Sequence, residues 1–208
     1  NGDGYADVII GDAGFEASPA TTNEGAAWVF LGAIGGIFQK TPGEAYRRLV
    51  ANQGSALLGT SVASAGDVNR DGFDDVVVGA PLFDAGESDE GAAFVQLGSA
   101  GTPLALSILS GNIASAGTPP SASVASAGDV NGDGYDDVII GTPGYDPGLS
   151  GSGAAFIIYG KRNGLLPSTF TTGVTPQTTQ ISANQVGSFL GVSVASAGDV
   201  NGDGFSDV

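Results

Sequence analysis

Four stretches of the chain gather oxygen-bearing side chains at one fixed spacing. D-x-N-x-D-G-x-x-D runs from Asp67 to Asp75, from Asp129 to Asp137 and from Asp199 to Asp207. A shorter copy opens the chain with Asn1, Asp3 and Asp7 and lacks the first position. Carboxylates held this close repel: at ~4 Å and an effective dielectric near 20, one like-charge pair costs about 4 kcal/mol. A chain that repeats the cluster needs something to neutralise it. Positions 1, 3, 5 and 9 offer side-chain oxygens, position 7 a backbone carbonyl, and Gly at 6 allows the sharp turn. Such a set suits a hard cation, and a flexible loop favours Ca²⁺ over Mg²⁺. The pattern starts like an EF-hand but closes at position 9 rather than at a Glu in position 12, and a β-branched run follows in place of a helix. It therefore reads as a hairpin loop.

The candidate ligands are Asp67, Asn69, Asp71, the Phe73 carbonyl and Asp75 in the second loop. The third offers Asp129, Asn131, Asp133, the Tyr135 carbonyl and Asp137, and the fourth Asp199, Asn201, Asp203, the Phe205 carbonyl and Asp207. The first keeps Asn1, Asp3, the Tyr5 carbonyl and Asp7. The competing interpretation is an Asp/Asn/Gly turn held by its own side-chain hydrogen bonds. Three complete copies weigh against that. Short calcium-loop repeats of the dockerin or thrombospondin kind are excluded by the period, since the Asp at position 5 recurs after 68, 62 and 70 residues.

A period this long marks a module of several strands. Each module places a small-residue strand before the loop (60–68, 122–130, 192–200) and a β-branched strand after it. A third strand follows as GAAWVFLG, GAAFVQLG or GAAFIIYG, then a weaker fourth. Four antiparallel strands repeated radially describe a β-propeller blade; a flat β-solenoid has shorter rungs. The expectation is an all-β chain of about three four-stranded blades from a larger propeller. Residues 1–59 form a blade without its first strand, 60–121 and 122–191 two full blades, and 192–208 the first strand and loop of another.

The order LGTSVASAGDVNRDGFDDVVVGAP…GAAFVQLG resembles the FG-GAP repeat of integrin alpha-chain propellers and bacterial surface proteins. Leu58-Gly59 and Leu190-Gly191 stand for Phe-Gly, Pro119-Pro120 takes that place in the third module, and Gly79-Ala80-Pro81 varies to Gly11-Asp12-Ala13 and Gly141-Thr142-Pro143. The resemblance implies calcium at the same loop positions, an extracellular or cell-surface setting, and a partner-binding face opposite the calcium loops. That face would carry the connections Asp12 to Glu24, Ala80 to Glu90 and Thr142 to Ser152. The loop 82–91, with Asp84, Glu87, Asp89 and Glu90, is read as a solvated acidic loop.

Composition sets outer limits. The 208 residues carry 22 acids against six Lys/Arg, a net charge of −16, which leaves no basic patch for nucleic acid. No apolar run is long enough to span a bilayer. With no His and no Cys, the usual catalytic bases and thiol nucleophiles are missing, so no enzyme is expected. Trp28, Phe94 and Phe156 share a place on strand three and are expected in the core; the rings of Tyr5, Phe73, Tyr135 and Phe205 are expected to pack under their loops. The reading is a calcium-binding adhesion or recognition module with a protein or glycan ligand. An assembly unit of a surface polymer and an accessory domain of a secreted hydrolase are the alternatives. Self-association or a longer parent chain would complete the propeller.

Overall fold

The structure is a computed structural model that describes residues 1–19, 21–37, 40–86, 88–101, 106–110, 123–146, 148–162, 164 and 178–208. The described residues form three antiparallel sheets, each a meander in which sequential strands are neighbours. The first holds β1 (Val8–Asp12), β2 (Ala26–Phe30) and β3 (Arg47–Val50). The second holds β4 (Ser61–Gly66), β5 (Asp75–Ala80), β6 (Ala92–Gln96) and β7 (Leu106–Ser110). The third holds β8 (Ser123–Gly128), β9 (Asp137–Thr142), β10 (Ala154–Ile158) and β11 (Thr178–Ser182). A single turn of 3₁₀ helix, Pro42–Glu44, interrupts the described strands. These are β-propeller blades in an arc that does not close on itself.

Burial explains the strand types. β9 and β10 are buried along their whole length, as is β6, which accounts for their unbroken apolar runs. β5 has the same composition and is buried at all but Val76. β1 has it too, yet alternates exposed and half-buried residues because no strand among the described residues pairs with its inner side. The inner strands β4 and β8 pack on each other through small residues, as their SVASAG sequences require near a crowded axis.

One core lies between the first and second sheets, around Leu49, Leu58, Val78 and Phe94. Another lies between the second and third, around Val68, Val95, Ile140, Phe156 and Ile158. Phe94 and Phe156 are thus core residues, as is Trp28 in a smaller cluster with Ala26 and Phe30. Each meets a second ring edge-on, at 5.1 Å for Phe15 on Trp28, 5.1 Å for Phe83 on Phe94 and 5.5 Å for Tyr145 on Phe156. The sequence reading missed these partners. Their signal is an aromatic four residues after Gly11, Gly79 and Gly141, repeated in all three modules.

Residues 192–200, expected as the first strand of a further blade, carry no strand assignment. Among the described residues no strand runs beside them, and a strand exists only through its ladder. The segment instead packs Leu190 and Val194 against Ile139 and Ile157 of the third sheet. Pro119, Pro120 and Glu87 lie outside the described residues.

The Leu-Gly pairs join one sheet to the next. Leu58 makes a parallel bridge with Gly25 at the foot of β2, and Leu190 makes the same bridge with Gly153 at the foot of β10. Gly59, at φ +90°, then lies against Gly11, Asp12 and Ala26 of the first sheet, too close for any side chain.

Candidate metal centre

Each acidic loop begins at a built-in kink. In β4 the register shifts between Ser64 and Gly66, and in β8 between Ser126 and Gly128, leaving Ala65 and Ala127 buried as bulge residues. The Ser64 and Ser126 hydroxyls each accept the amide two residues on, at 3.2 and 3.1 Å. Such a bulge turns the strand sharply and hands the next residue, the Asp of position 1, to the loop.

The loop then folds around its own amides. Asp67 Oδ1 and Asn69 Oδ1 both accept the Asp71 amide at 3.0 Å, and Asp67 Oδ2 accepts that of Gly72 at 2.8 Å. Asp71 Oδ1 accepts the Phe73 amide at 3.0 Å. The third loop repeats this with Asp129, Asn131 and Asp133, and the fourth with Asp199, Asn201 and Asp203. In the first loop Asn1 accepts from Asp3, and Asp3 from Tyr5. Backbone amides hold the Asp199 carboxyl below its ordinary range.

Position 9 behaves differently. Asp75 and Asp137 are fully buried. Asp75 accepts the Val68 amide at 2.9 Å and the Gly98 amide at 2.7 Å; Asp137 accepts those of Val130 at 3.0 Å and Gly160 at 2.9 Å. Asp207 accepts from Val200 and Asp7 from Gly32 in the same manner. The residue therefore ties the start of its loop to the end of strand three. Burial pushes the Asp75 and Asp137 carboxyls up to about 7, against the pull of those amides, and the neighbouring charges at positions 5 and 1 add to the rise. Replacing Asp137 with Asn sets an NH₂ against a buried N–H. We expect it to cost about 2 kcal/mol in denaturant unfolding of the metal-free protein, the usual penalty for an unsatisfied buried amide.

The structure thus brings positions 1 and 3 together on the amide of position 5, whose own side chain accepts the next amide but one, with position 9 close enough to feel the charge of positions 1 and 5. Among the described residues no three acidic side chains close into a group that could hold a metal ion. The donor chemistry nonetheless fits a hard cation. Every donor is oxygen; Asp67 accepts one amide on each carboxylate oxygen and keeps a lone pair on each, while Asp129 and Asp199 accept two amides on Oδ1 and one on Oδ2, which keeps a lone pair for a further partner.

Two of the rings at position 7 reach a neighbouring loop. Phe73 lies on Gly2 of the first loop and Phe205 on Gly132 of the third, so each covers position 4 of the loop before it. Position 4 of the second loop is Arg70, which adopts the left-handed φ of +58° that Gly takes elsewhere, and its guanidinium lies on Gly134 of the third loop. A cavity of about 420 Å³ opens between the first and second sheets, lined by Tyr46, Arg47, Phe73 and Gly98 among others. At the next junction Val68 stands in that place, its carbonyl accepting the Lys161 amide beside Gly160, so the cavity is a packing position rather than a pocket shaped for a ligand.

On the opposite face, Glu24 and Glu90 are buried turn residues that accept the amides of Ala17 and Ala85, while Ser152 reaches the Tyr145 carbonyl. The connections between sheets lie against these turns, through Ser55 on Thr22, Gln53 on Asp84 and Gly187 on Ser150.

A family description, FG-GAP repeat, matches residues 58–95 and 121–158. This chain is built of FG-GAP repeats. It is homologous to integrin alpha chains: 33% identical over 198 residues to integrin alpha-PS5 of Drosophila melanogaster, covering 92% of this chain and 18% of that protein. It is 32% identical over 225 residues to integrin alpha-IIb of Mus musculus, covering 99% of this chain and 20% of that protein. Integrin alpha-3 of Cricetulus griseus is 34% identical over 142 residues. The FG-GAP chain therefore spans a fifth or less of these relatives. Among the described residues no helix is long and apolar enough to cross a membrane.

Proposed function

We propose that this FG-GAP chain is a calcium-stabilised recognition or adhesion module of an extracellular or cell-surface protein. The carrying observation is the repeated loop in which the side chains of positions 1 and 3 meet on the position-5 amide, position 5 accepts the amide of position 7, and a fourth, buried carboxylate feels the charge of positions 1 and 5. Asp67, Asn69, Asp71, the Phe73 carbonyl and Asp75 would hold one ion, and the third and fourth loops their equivalents. Calcium would supply the positive charge that lets all these carboxylates stay ionised together. The chain's own residues do the remainder: the Ser-Ala-Gly bulge aims position 1, the loop amides orient positions 1 to 5, and position 9 anchors the loop to strand three.

Homology to integrin alpha chains supports a protein or glycan ligand, and the rigid blade frame supports its placement on the loops opposite the acidic ones. We take 1–59, 60–121 and 122–191 as successive blades and 192–208 as the first strand and calcium loop of a further blade.

Calorimetric titration of the chain with CaCl₂, before and after Asp133→Asn, tests the reading. Binding of calcium in preference to magnesium is expected. Removing one carboxylate should weaken the altered loop about tenfold, on the order of 1.4 kcal/mol. A flat titration of the unsubstituted chain at millimolar calcium would sink the proposal.

A further inference from the structure

Asp136 occupies position 8 of the third loop, outside the ligand pattern, and its side chain leaves that loop altogether. Its Oδ2 accepts the amide of Asp67, position 1 of the second loop, at 2.8 Å. Its own amide donates to the Asp67 carbonyl at 3.2 Å, so the two residues are joined twice. Gly66 stands beside this bridge at φ +73°, where any Cβ would collide with the Asp136 carboxylate. The next junction keeps the backbone half of the arrangement: the Ser206 amide donates to the Asp129 carbonyl at 3.0 Å, and the Ser206 hydroxyl lies against Gly128. Arg70 also reaches from the second loop onto Gly134 of the third.

We propose that Asp136 is a positioning residue that couples cation binding in the third loop to cation binding in the second. The inference rests on the calcium reading above. Asp136 lies between the Tyr135 carbonyl and Asp137, two of the third loop's candidate ligands. Whatever fixes those two fixes the backbone of Asp136. The carboxylate then holds the Asp67 amide through a charge-assisted hydrogen bond, the strong kind. Asp67 supplies position 1, whose oxygens organise the Asp71 and Gly72 amides. Filling the third loop therefore orders the second before its ion arrives. Linkage makes the effect reciprocal. Position 8 is Ala6 in the first loop and Ser206 in the fourth, so the strength of the connection differs along the arc.

The test follows the position-6 amides, Gly72 and Gly134, by NMR during calcium titration of the full chain. Asp133→Asn weakens the third loop. It is expected to raise the dissociation constant read at Gly72 about fivefold, the lower end of ordinary coupling. In an Asp136→Ala background the same change should move Gly72 by less than about twofold. Asp136→Asn should keep the coupling, because its amide oxygen still accepts from Asp67. Alanine is the natural occupant in the first loop, and the dispersed amides of β6 report that the variant is folded. An unmoved Gly72 after Asp133→Asn overturns the proposal, as does an equal shift with and without Asp136. No calcium shift at any loop of the unsubstituted chain overturns the calcium reading itself, and the coupling with it.

Discussion

Excess EDTA is expected to lower the melting temperature of the calcium-loaded protein by about 15–30 °C. At free calcium a hundredfold above the dissociation constant, one occupied site adds about 2.7 kcal/mol. Three complete loops add roughly 8 kcal/mol, comparable with the whole net stability of an ordinary domain. For a chain of 150–250 residues each kcal/mol is worth about 2–4 °C. The chain carries a net charge of −16, and its four loops concentrate much of it at mutually close positions. It has no cysteine with which to replace the lost cross-links. Differential scanning fluorimetry in calcium, in EDTA and after calcium is restored checks the expectation. A loss under about 5 °C would mean that the loop amides alone hold these turns, the self-satisfied Asp/Asn turn that is the competing interpretation.

Gly59→Ala is expected to cost about 3–4 kcal/mol, measured by urea unfolding in calcium. Two effects add. A φ of +90° is strained for any residue with a Cβ. The added carbon would also meet the Ala26 carbonyl, the Asp12 amide at 2.9 Å and the Gly11 Cα at 3.1 Å, all backbone and none able to rotate away. The damage falls on the junction between the first and second sheets, so protection from hydrogen exchange should fall in β1 and β2 before β5 and β6. Gly36 has a similar φ of +96° with open space around it, which makes Gly36→Ala the control that isolates strain from collision.

Much of this was legible in the sequence because the repeat averages its own noise. Asp75 alone is one acid in a turn; Asp75 with Asp137 and Asp207 at matching positions is a pattern. The meander followed from short β-branched runs at one period, and the weak outer strand was caught where pattern survived, as in Arg47–Val50 and Thr178–Ser182. What escaped was what lies between repeats. Nothing local marks Asp136 as reaching Asp67, 69 residues away in sequence. The position-7 rings were expected under their own loops because a sequence shows a ring its chain neighbours, not the loop of the adjoining blade. Position 9 was read only as a ligand, since one of the two amides it gathers, Val68 for Asp75, belongs to the loop itself and the other, Gly98, lies beyond the end of β6, 23 residues away.

The Leu-Gly junction has a consequence for how such chains are inherited. The first FG-GAP match begins at Leu58, whose bridge is to Gly25 in the preceding sheet, and it ends at Val95 in the next. The unit of sequence and the unit of architecture are out of phase by one joint. A duplicated stretch of gene therefore arrives with its own fastening already attached, and can be added to a row without new contacts having to be invented at the seam. Lengthening and shortening by whole units is easy for a lineage built this way, while the spacing between units is free to drift, as the intervals of 68, 62 and 70 residues have done.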